Sequence, residues 1–491
     1  MSVQRYRWAA VGEFLDRTTE LERLEAWWAS PAREPLNLYG RRRVGKSWLF
    51  RRFAHGKPAV ILVADRVAPG QQLTSLAAQL AGPLGVRPQL DSAADLFATL
   101  YQLGRRRQVL AVVDEFPYLL GTTSAEQQDT LAAIQAVMER ERDASQLKLV
   151  LTGSTIAVME DLQAERSPLH GRLHPVPLRP MRLPAARQFV PDLSPADQLT
   201  RYAVAGGMPR YLHALSGADL GAALASAVVD PYGPLFNEPR TILHTELREP
   251  AVYFSILSAL AGSPRQGPTI AADLRIETRE VTRYLTTLES LQLVSRRLPV
   301  GAAPDARTTQ WRCDDHFVRF WFRFVQPYQA ELEAGADPAA HIRSVIEPAL
   351  AEHVGPAFEQ ALTAWARTTY AEQVSAVGGW WGPALHRLRA TKERFTEEID
   401  TVGIRGRSVV VVGEAKWTAK PMPAAVLSAL LEFKLPALAQ AGFDISRAQI
   451  VLASRTGFTD GLRALAADHG NIRLLTGDEV ITGDEVITAA T

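Results

Sequence analysis

The chain has 491 residues, 47% hydrophobic and 22% charged, which is the balance of an ordinary globular protein with room for about three domains. A net charge of +1 leaves no global field to draw in nucleic acid, so any basic surface is local. The one cysteine, Cys313, excludes an intrachain disulfide framework and a cysteine-based zinc finger. No apolar run is long enough to span a membrane, and no apolar leader opens the chain, so the expectation is a cytoplasmic protein without membrane contact.

Phe14, Leu15, Asp16 and Arg17 precede apolar positions 21, 24, 27 and 28 at helical spacing. This is either an ordinary surface helix or one that sets Arg17 beside a nucleotide base. Residues 36–53 then read as a short apolar strand, a glycine-bounded turn and an amphipathic helix. The turn runs Gly40, Arg41, Arg42, Arg43, Val44, Gly45, Lys46, Ser47 and matches G-x-x-x-x-G-K-[ST], the P-loop pattern. Gly40 and Gly45 let the backbone wrap phosphate oxygens. The helix that follows points free N–H groups and its positive end at the anion. Lys46 supplies a cation for the β- and γ-phosphates, and Ser47 a hydroxyl for Mg2+. Trp48 is counted with the nucleotide-binding residues.

Residues 59–63 read as a buried strand and 71–102 as a long helical stretch. The apolar run 109–113 ends in Asp114 and Glu115, as a Walker B strand does. Asp114 would hold Mg2+ through water, and Glu115 would act as general base. The next strand, 147–151, ends in Thr152, Gly153 and Ser154. Thr152 and Ser154 are either γ-phosphate sensors or parts of a capped turn. Strands alternating with helices imply a parallel sheet with its site at the carboxyl ends. Arg172 is a candidate for stabilising transition-state charge, although most arginines are simply surface. Gly206, Gly207 and Pro209 mark a rigid turn.

Together these pieces resemble the archaeal-type P-loop ATPases of the STAND and AAA+ lineage, over roughly the first 250 residues. The resemblance implies ATP rather than GTP. It also implies a helical lid whose turn at Pro209 touches the nucleotide.

Residues 251–261, 269–274 and 278–291 read as three helices, and 294–298 and 308–312 as strands, the makings of a winged helix-turn-helix. Arg279 and Arg283, one turn apart on the third helix, could reach DNA; such arginines are more often a solvated face. Arg296 and Arg297 fall near the wing. The aromatics of 317–324 are assigned to core packing. Residues 330–340 read as a polar connector.

Two strands then meet at a turn around Gly406. With the turn centred there, residue 400 faces 412, and Asp400 lies diagonal to Glu414 on the face that also carries Lys416. Two carboxylates suit a hard divalent cation, and Lys416 would activate water; a one-residue slip would move Asp400 to the other face. The pattern resembles the restriction-endonuclease-like PD-(D/E)XK nucleases, with Glu359 as a further acidic member and Ile399 where the motif has proline. Thr-Gly-Asp-Glu-Val-Ile occurs twice at the end of the chain and is read as a frayed tail.

The fold expectation is therefore α/β throughout: a P-loop parallel sheet (1–190), a helical lid (191–250), a winged helix-turn-helix (251–330) and a nuclease-like domain (341–491). The functional expectation is an ATPase, with ATP and Mg2+, that couples nucleotide state to a module acting on DNA. The alternative is a STAND-type signalling switch whose silent C-terminal domain binds protein. A homo-oligomer is compatible with either.

Overall fold

The structure, a computed structural model, describes residues 17–247, 249–303, 306, 308–385 and 396–488. Phe14, Leu15, Asp16 and Phe395 lie outside the described residues. The chain forms two compact units, Met1–Pro180 with Met208–Arg210, and Met181–Gly207 with Tyr211–Thr491. Apart from residues 208–210, the lid, three-helix and C-terminal segments thus belong to the second unit.

The first unit runs α1 (Thr18–Ala29), β1 (Leu36–Tyr39), α2 (Lys46–Ala54), β2 (Ala59–Val63), α3 (Pro69–Leu84), α4 (Ala93–Leu103), β3 (Val109–Asp114), α5 (Ser124–Glu141), β4 (Leu147–Gly153), α6 (Ile156–Asp161) and β5 (His174–Pro177). The sheet is wholly parallel, in the order β2-β3-β4-β1-β5. Every residue of β3 and β4 is buried, which explains their unbroken apolar runs. The expected helix over 71–102 is broken in two. Gly85 ends α3 in a left-handed conformation, and Ser92 caps α4 by accepting the Asp95 N–H. Lys148 interrupts the apolar run of β4. Its buried ammonium donates to the carbonyls of Trp27, Ser30 and Ala32 at 2.7, 2.8 and 2.5 Å, closing the carboxyl end of α1. The strand order sets β4 between β3 and β1, so Tyr39, Asp114 and Gly153 end side by side on one edge.

The second unit begins with short helices: α7 (Leu183–Arg187), α8 (Pro195–Ala205), α9 (Pro209–Ala214), α10 (Leu220–Leu224) and α11 (Glu238–Glu246). Then come α12 (Pro250–Leu260), α13 (Gly267–Leu274), α14 (Thr278–Ser290) and an antiparallel ribbon of β6 (Val294–Arg297) and β7 (Gln310–Cys313). The helix α15 (His316–Phe324) buries Phe317, Phe320, Trp321, Phe322 and Phe324. The presumed connector carries α16 (Gln329–Glu333) and α17 (Pro338–His341), and α18 (Glu347–Thr369) follows. The second sheet comprises β8 (Ala376–Pro383), β9 (Thr396–Arg405), β10 (Ser408–Lys416), β11 (Gln449–Ser454) and β12 (Ile472–Thr476), in the order β12-β11-β10-β9-β8. Helices α19 (Ala424–Ala429), α20 (Leu435–Gln440), α21 (Asp460–Asp468) and α22 (Gly477–Thr488) complete it.

Leu199 and Ala203 of α8 share one apolar cluster with Phe358 and Leu362 of α18 and Val411 and Ala415 of β10. A segment expected as a lid is therefore part of the C-terminal core. Val480 and Ile481, from the first copy of the tandem repeat, join the same cluster. The repeat is thus helical, and its first copy is core instead of frayed tail.

Val300 and Thr308, between β6 and β7, lie on the edge strand β8. Val300 N–H donates to Gly379 O at 2.9 Å, and Trp381 Nε1 donates to Thr308 O at 3.0 Å. The Val300 side chain is buried with Trp380, Ile399 and Phe443. The Val300 contact satisfies one carbonyl on a sheet edge that would otherwise offer it unpaired.

Candidate functional site

In the first unit, the backbone turns tightly between β1 and α2. Gly40 admits no side chain, since a Cβ there would stand 2.3 Å from Leu178 O. Gly45, at φ 99°, takes the left-handed conformation that opens α2, leaving its first N–H groups without a side-chain cap. Lys46 Nζ donates to Gly40 O at 2.7 Å and Arg41 O at 3.2 Å, which holds the ammonium inside the loop. Ser47 Oγ donates to Asp114 Oδ2 at 3.4 Å, bringing together the two groups expected to hold Mg2+. Burial, and after it the Glu115 carboxylate, raises the Asp114 pKa above its ordinary value.

Glu115 itself is in the left-handed region at φ 54°, a conformation uncommon outside glycine. Its carboxylate accepts the Ser154 N–H at 3.1 Å and the Ser154 hydroxyl at 2.9 Å. Thr152 is fully buried beside Leu38 in register, and its hydroxyl has no hydrogen-bond partner. Arg41 and Val44 are buried in the loop, Arg42 and Trp48 are exposed, and Arg42 donates to Tyr118 Oη at 3.3 Å. Arg43 has φ 70°. The Pro209 ring approaches to 3.6 Å of where a Gly45 Cβ would stand, so the turn at 208–210 is placed at the P-loop.

Two candidate residues have protein partners of their own. Arg17, expected either on an ordinary surface helix or beside a nucleotide base, is the first. It is buried, and its guanidinium donates to Val44 O at 2.9 Å and Arg179 O at 2.8 Å while pairing with Glu20 at 2.9 Å. It braces the loop from behind. Arg172 stands just before β5, whose His174 pairs with Leu36 at the amino end of β1. That is the sheet edge opposite Lys46, and Arg172 is spent there on Glu139 at 2.5 Å.

In the second unit, the β9–β10 register differs from the expected one by two residues, so the face is preserved. The turn centres between Gly406 and Arg407, pairing Ser408 with Arg405, a shift of one. A bulge between Val409 and Val411 adds the second, pairing Gly413 with Thr401. Beyond that pair the ladder ends, and the Asp400 carboxylate takes the Ala415 N–H at 2.8 Å. Lys416 Nζ stands 3.8 Å from Asp400 and 3.4 Å from Glu414.

Burial, then Asp400 and Glu398, push Glu359 up to about 7. Burial pulls Lys416 down, but Asp400, Glu414 and Glu359 outweigh it and raise its pKa overall. The expected Glu359, Asp400 and Glu414 set does not close into a cage: among the described residues no group of three or more His, Cys, Asp or Glu side chains could hold a metal ion. Lys434 Nζ donates to Glu414 Oε1 at 2.7 Å, so the acid pair is already balanced by two ammoniums. Sequence reading missed Lys434 because it lies in a helix with no motif spacing to β10. It missed Glu398 too, although alternation from Asp400 carried the signal.

Arg279 and Arg283 of α14 are exposed, and Arg283 lies over the Tyr284 ring at 5.1 Å. Arg297 is not on that surface. It stacks over Trp381 at 5.1 Å and reaches Glu398 at 3.4 Å.

Among the described residues no helix is long and apolar enough to cross a membrane. Residues 32–158 match a family described as an AAA domain, and residues 321–426 match one described as archaeal and bacterial proteins of unknown function. The chain is 24% identical over 410 residues to an uncharacterized protein of Methanocaldococcus jannaschii, covering 82% of this chain and 87% of that protein. Similar solved structures include a Walker-type ATPase of Pyrococcus abyssi, 20% identical with a TM-score of 0.49 over 63% of this chain and 96% of that one. The ORC2 protein of Aeropyrum pernix is 15% identical, with a TM-score of 0.43 over 65% of this chain and 94% of that one. The P-loop between β1 and α2 and the acidic pair at the end of β3 both lie within the segment 32–158 that matches the AAA domain family.

Proposed function

We propose that this protein is an ATP hydrolase that couples its nucleotide state to a DNA-acting second unit. The observation that carries the reading is the convergence of Lys46, Ser47, Asp114 and Glu115 on one sheet edge, with Ser47 already bonded to Asp114. The α2 N-terminus and Lys46 would hold the phosphates, and Ser47 and Asp114 would hold Mg2+. Bound ATP supplies the phosphoryl group that water attacks. Glu115 would take the proton of that water, and Ser154 fixes the direction of its carboxylate.

The coupling has a covalent basis. Residues 208–210 cluster with the first unit, while their neighbours Gly207 and Tyr211 belong to the second. A change at the P-loop felt by Pro209 is thereby passed to α8 and α9. In the second unit, we read α12 to α14 with the β6–β7 ribbon as a winged helix-turn-helix whose DNA contact is Arg279 and Arg283, and the second sheet as nuclease-like.

The second reading, a signalling switch with a silent C-terminal domain, is favoured by one observation: both Glu414 oxygens face lysine ammoniums. The two readings part on DNA binding with and without a non-hydrolysable ATP analogue. Affinity that changes with nucleotide in wild type but not in Lys46→Ala supports the first. No DNA affinity in either state refutes it.

A further inference from the structure

The tandem repeat near the end of the chain spells a helix start twice. Thr476-Gly477-Asp478-Glu479-Val480-Ile481 is followed without a gap by Thr482-Gly483-Asp484-Glu485-Val486-Ile487. The first copy opens α22. Thr476 Oγ1 accepts the Glu479 N–H at 3.3 Å, and the Glu479 carboxylate accepts the Thr476 N–H at 2.7 Å, a reciprocal capping box. Val480 and Ile481 follow, buried with Phe358, Trp365 and Trp417. Glu485 stands three residues after Thr482, so the second copy carries the same box signature and the same apolar pair.

In the structure this second start serves as helix interior. The helix α22 continues through it to Thr488, and Thr482 Oγ1 donates to Asp478 O at 2.8 Å, the back-bonding of a threonine inside a helix. Threonine, glycine and aspartate are poor interior residues, whereas a threonine cap and acids in the first turn favour a helix start. The local preference of residues 482–485 is therefore at odds with their place in this register.

A slip of six residues removes the conflict. When the chain bulges out after Leu475, Thr482 takes the seat of Thr476, and Val486 and Ile487 take those of Val480 and Ile481. Identical residues fill identical seats, so these seats lose neither volume nor apolar area. Two terms oppose the slip. The bulged loop must be closed, at a cost that grows only slowly with its length. Ala489 also takes the seat of Gly483, where a Cβ stands 2.8 Å from Trp365 Cδ1, so the indole must shift. These terms make the first register the ground state.

We propose that the repeat gives the C-terminal helix two registers six residues apart, and that the second copy is a reserve that fills the apolar cluster when the first is displaced.

Thermal unfolding of the full chain is the test. Val480→Asp with Ile481→Asp spoils the ground register, and the slip carries both charges out into the loop. The same pair made in a Val486→Asp, Ile487→Asp background has no intact copy left. The fall in Tm caused by the first pair is expected to be larger in that background by about 10 °C or more. Folding of the double variant where the quadruple variant does not fold counts as the same result. Equal falls, or failure of both to fold, overturn the proposal. Cleavage by a glutamate-specific protease reads the register itself. In the double variant the bond after Glu479 should be cut and the bond after Glu485 spared; cutting at both shows a frayed helix and overturns the slip. Deleting either copy yields one and the same chain, which is the slipped register without its loop. It should melt within about 5 °C of wild type, and a larger fall overturns the proposal.

Discussion

The Glu115 carboxylate accepts both the backbone N–H and the hydroxyl of Ser154, at 3.1 Å and 2.9 Å, across the ends of two neighbouring strands. The base candidate and the sensor candidate are therefore one device: the second aims the first. Ser154→Ala keeps the N–H bond and removes the hydroxyl. It is expected to lower kcat for ATP by about tenfold with little change in KM, whereas Glu115→Gln should cost on the order of a hundredfold or more while ATP still binds. Equal kcat in Ser154→Ala and wild type would show that the hydroxyl does not matter to the base.

Arg17 ties the P-loop to residue 179 through two backbone carbonyls. Arg17→Lys preserves the charge but not the fork, and should weaken ATP binding nearly as much as Arg17→Ala, about tenfold. Fluorescent-nucleotide titration of the two variants checks this. Full affinity in Arg17→Lys would point to charge alone.

Two buried histidines predict an acid dependence for the second unit. Burial, and after it Arg319, holds His316 down at about 3 and His353 well below its ordinary value. His316 also faces Asp314, Arg312 and Asp315. His353 Nε2 and Ala203 O are 3.0 Å apart. The unfolded chain binds protons at these histidines below about pH 6.5, and the folded chain does not. Stability is therefore complete above that pH and falls as pH drops below it, by on the order of 1 kcal/mol per pH unit for each histidine. Urea unfolding between pH 7 and 5 should show this slope, and His316→Gln with His353→Gln should flatten it.

The docked ribbon loop separates two arginine roles. Arg279→Ala and Arg283→Ala should each weaken DNA binding and reduce its salt slope by about one. Arg297→Ala should leave DNA affinity unchanged, because its guanidinium is against Trp381 and Glu398. Val300→Ala should cost about 2 kcal/mol of stability through the lost packing on β8. A DNA defect in Arg297→Ala equal to that of Arg283→Ala would contradict this division.

The legible parts of the chain were those in which chemistry depends on contiguous spacing. Residues 40–47 carry their own geometry, and an apolar run ending in two acids marks a buried parallel strand whatever surrounds it. Lone residues were less legible. Arg172 has no local pattern, and only the β1–β5 pairing reveals that it sits on the far edge of the sheet. Lys434 reaches Glu414 through a π-helical turn that composition does not announce. The register of β9 and β10 illustrates the limit best. The turn lies a half-residue further on than Gly406 alone suggests, which would have turned Asp400 away, and the bulge between Val409 and Val411 restores its face. A bulge is a tertiary compromise without a local signature in Val409, Val410 and Val411.

Steady-state phosphate release from ATP with Mg2+, for wild type, Lys46→Ala and Glu115→Gln, alongside ATP binding, decides whether the P-loop hydrolyses ATP. Turnover is expected in wild type, loss of binding and turnover in Lys46→Ala, and retained binding without turnover in Glu115→Gln. Turnover that persists in Lys46→Ala, or a wild type that binds no ATP, would contradict hydrolysis at the P-loop.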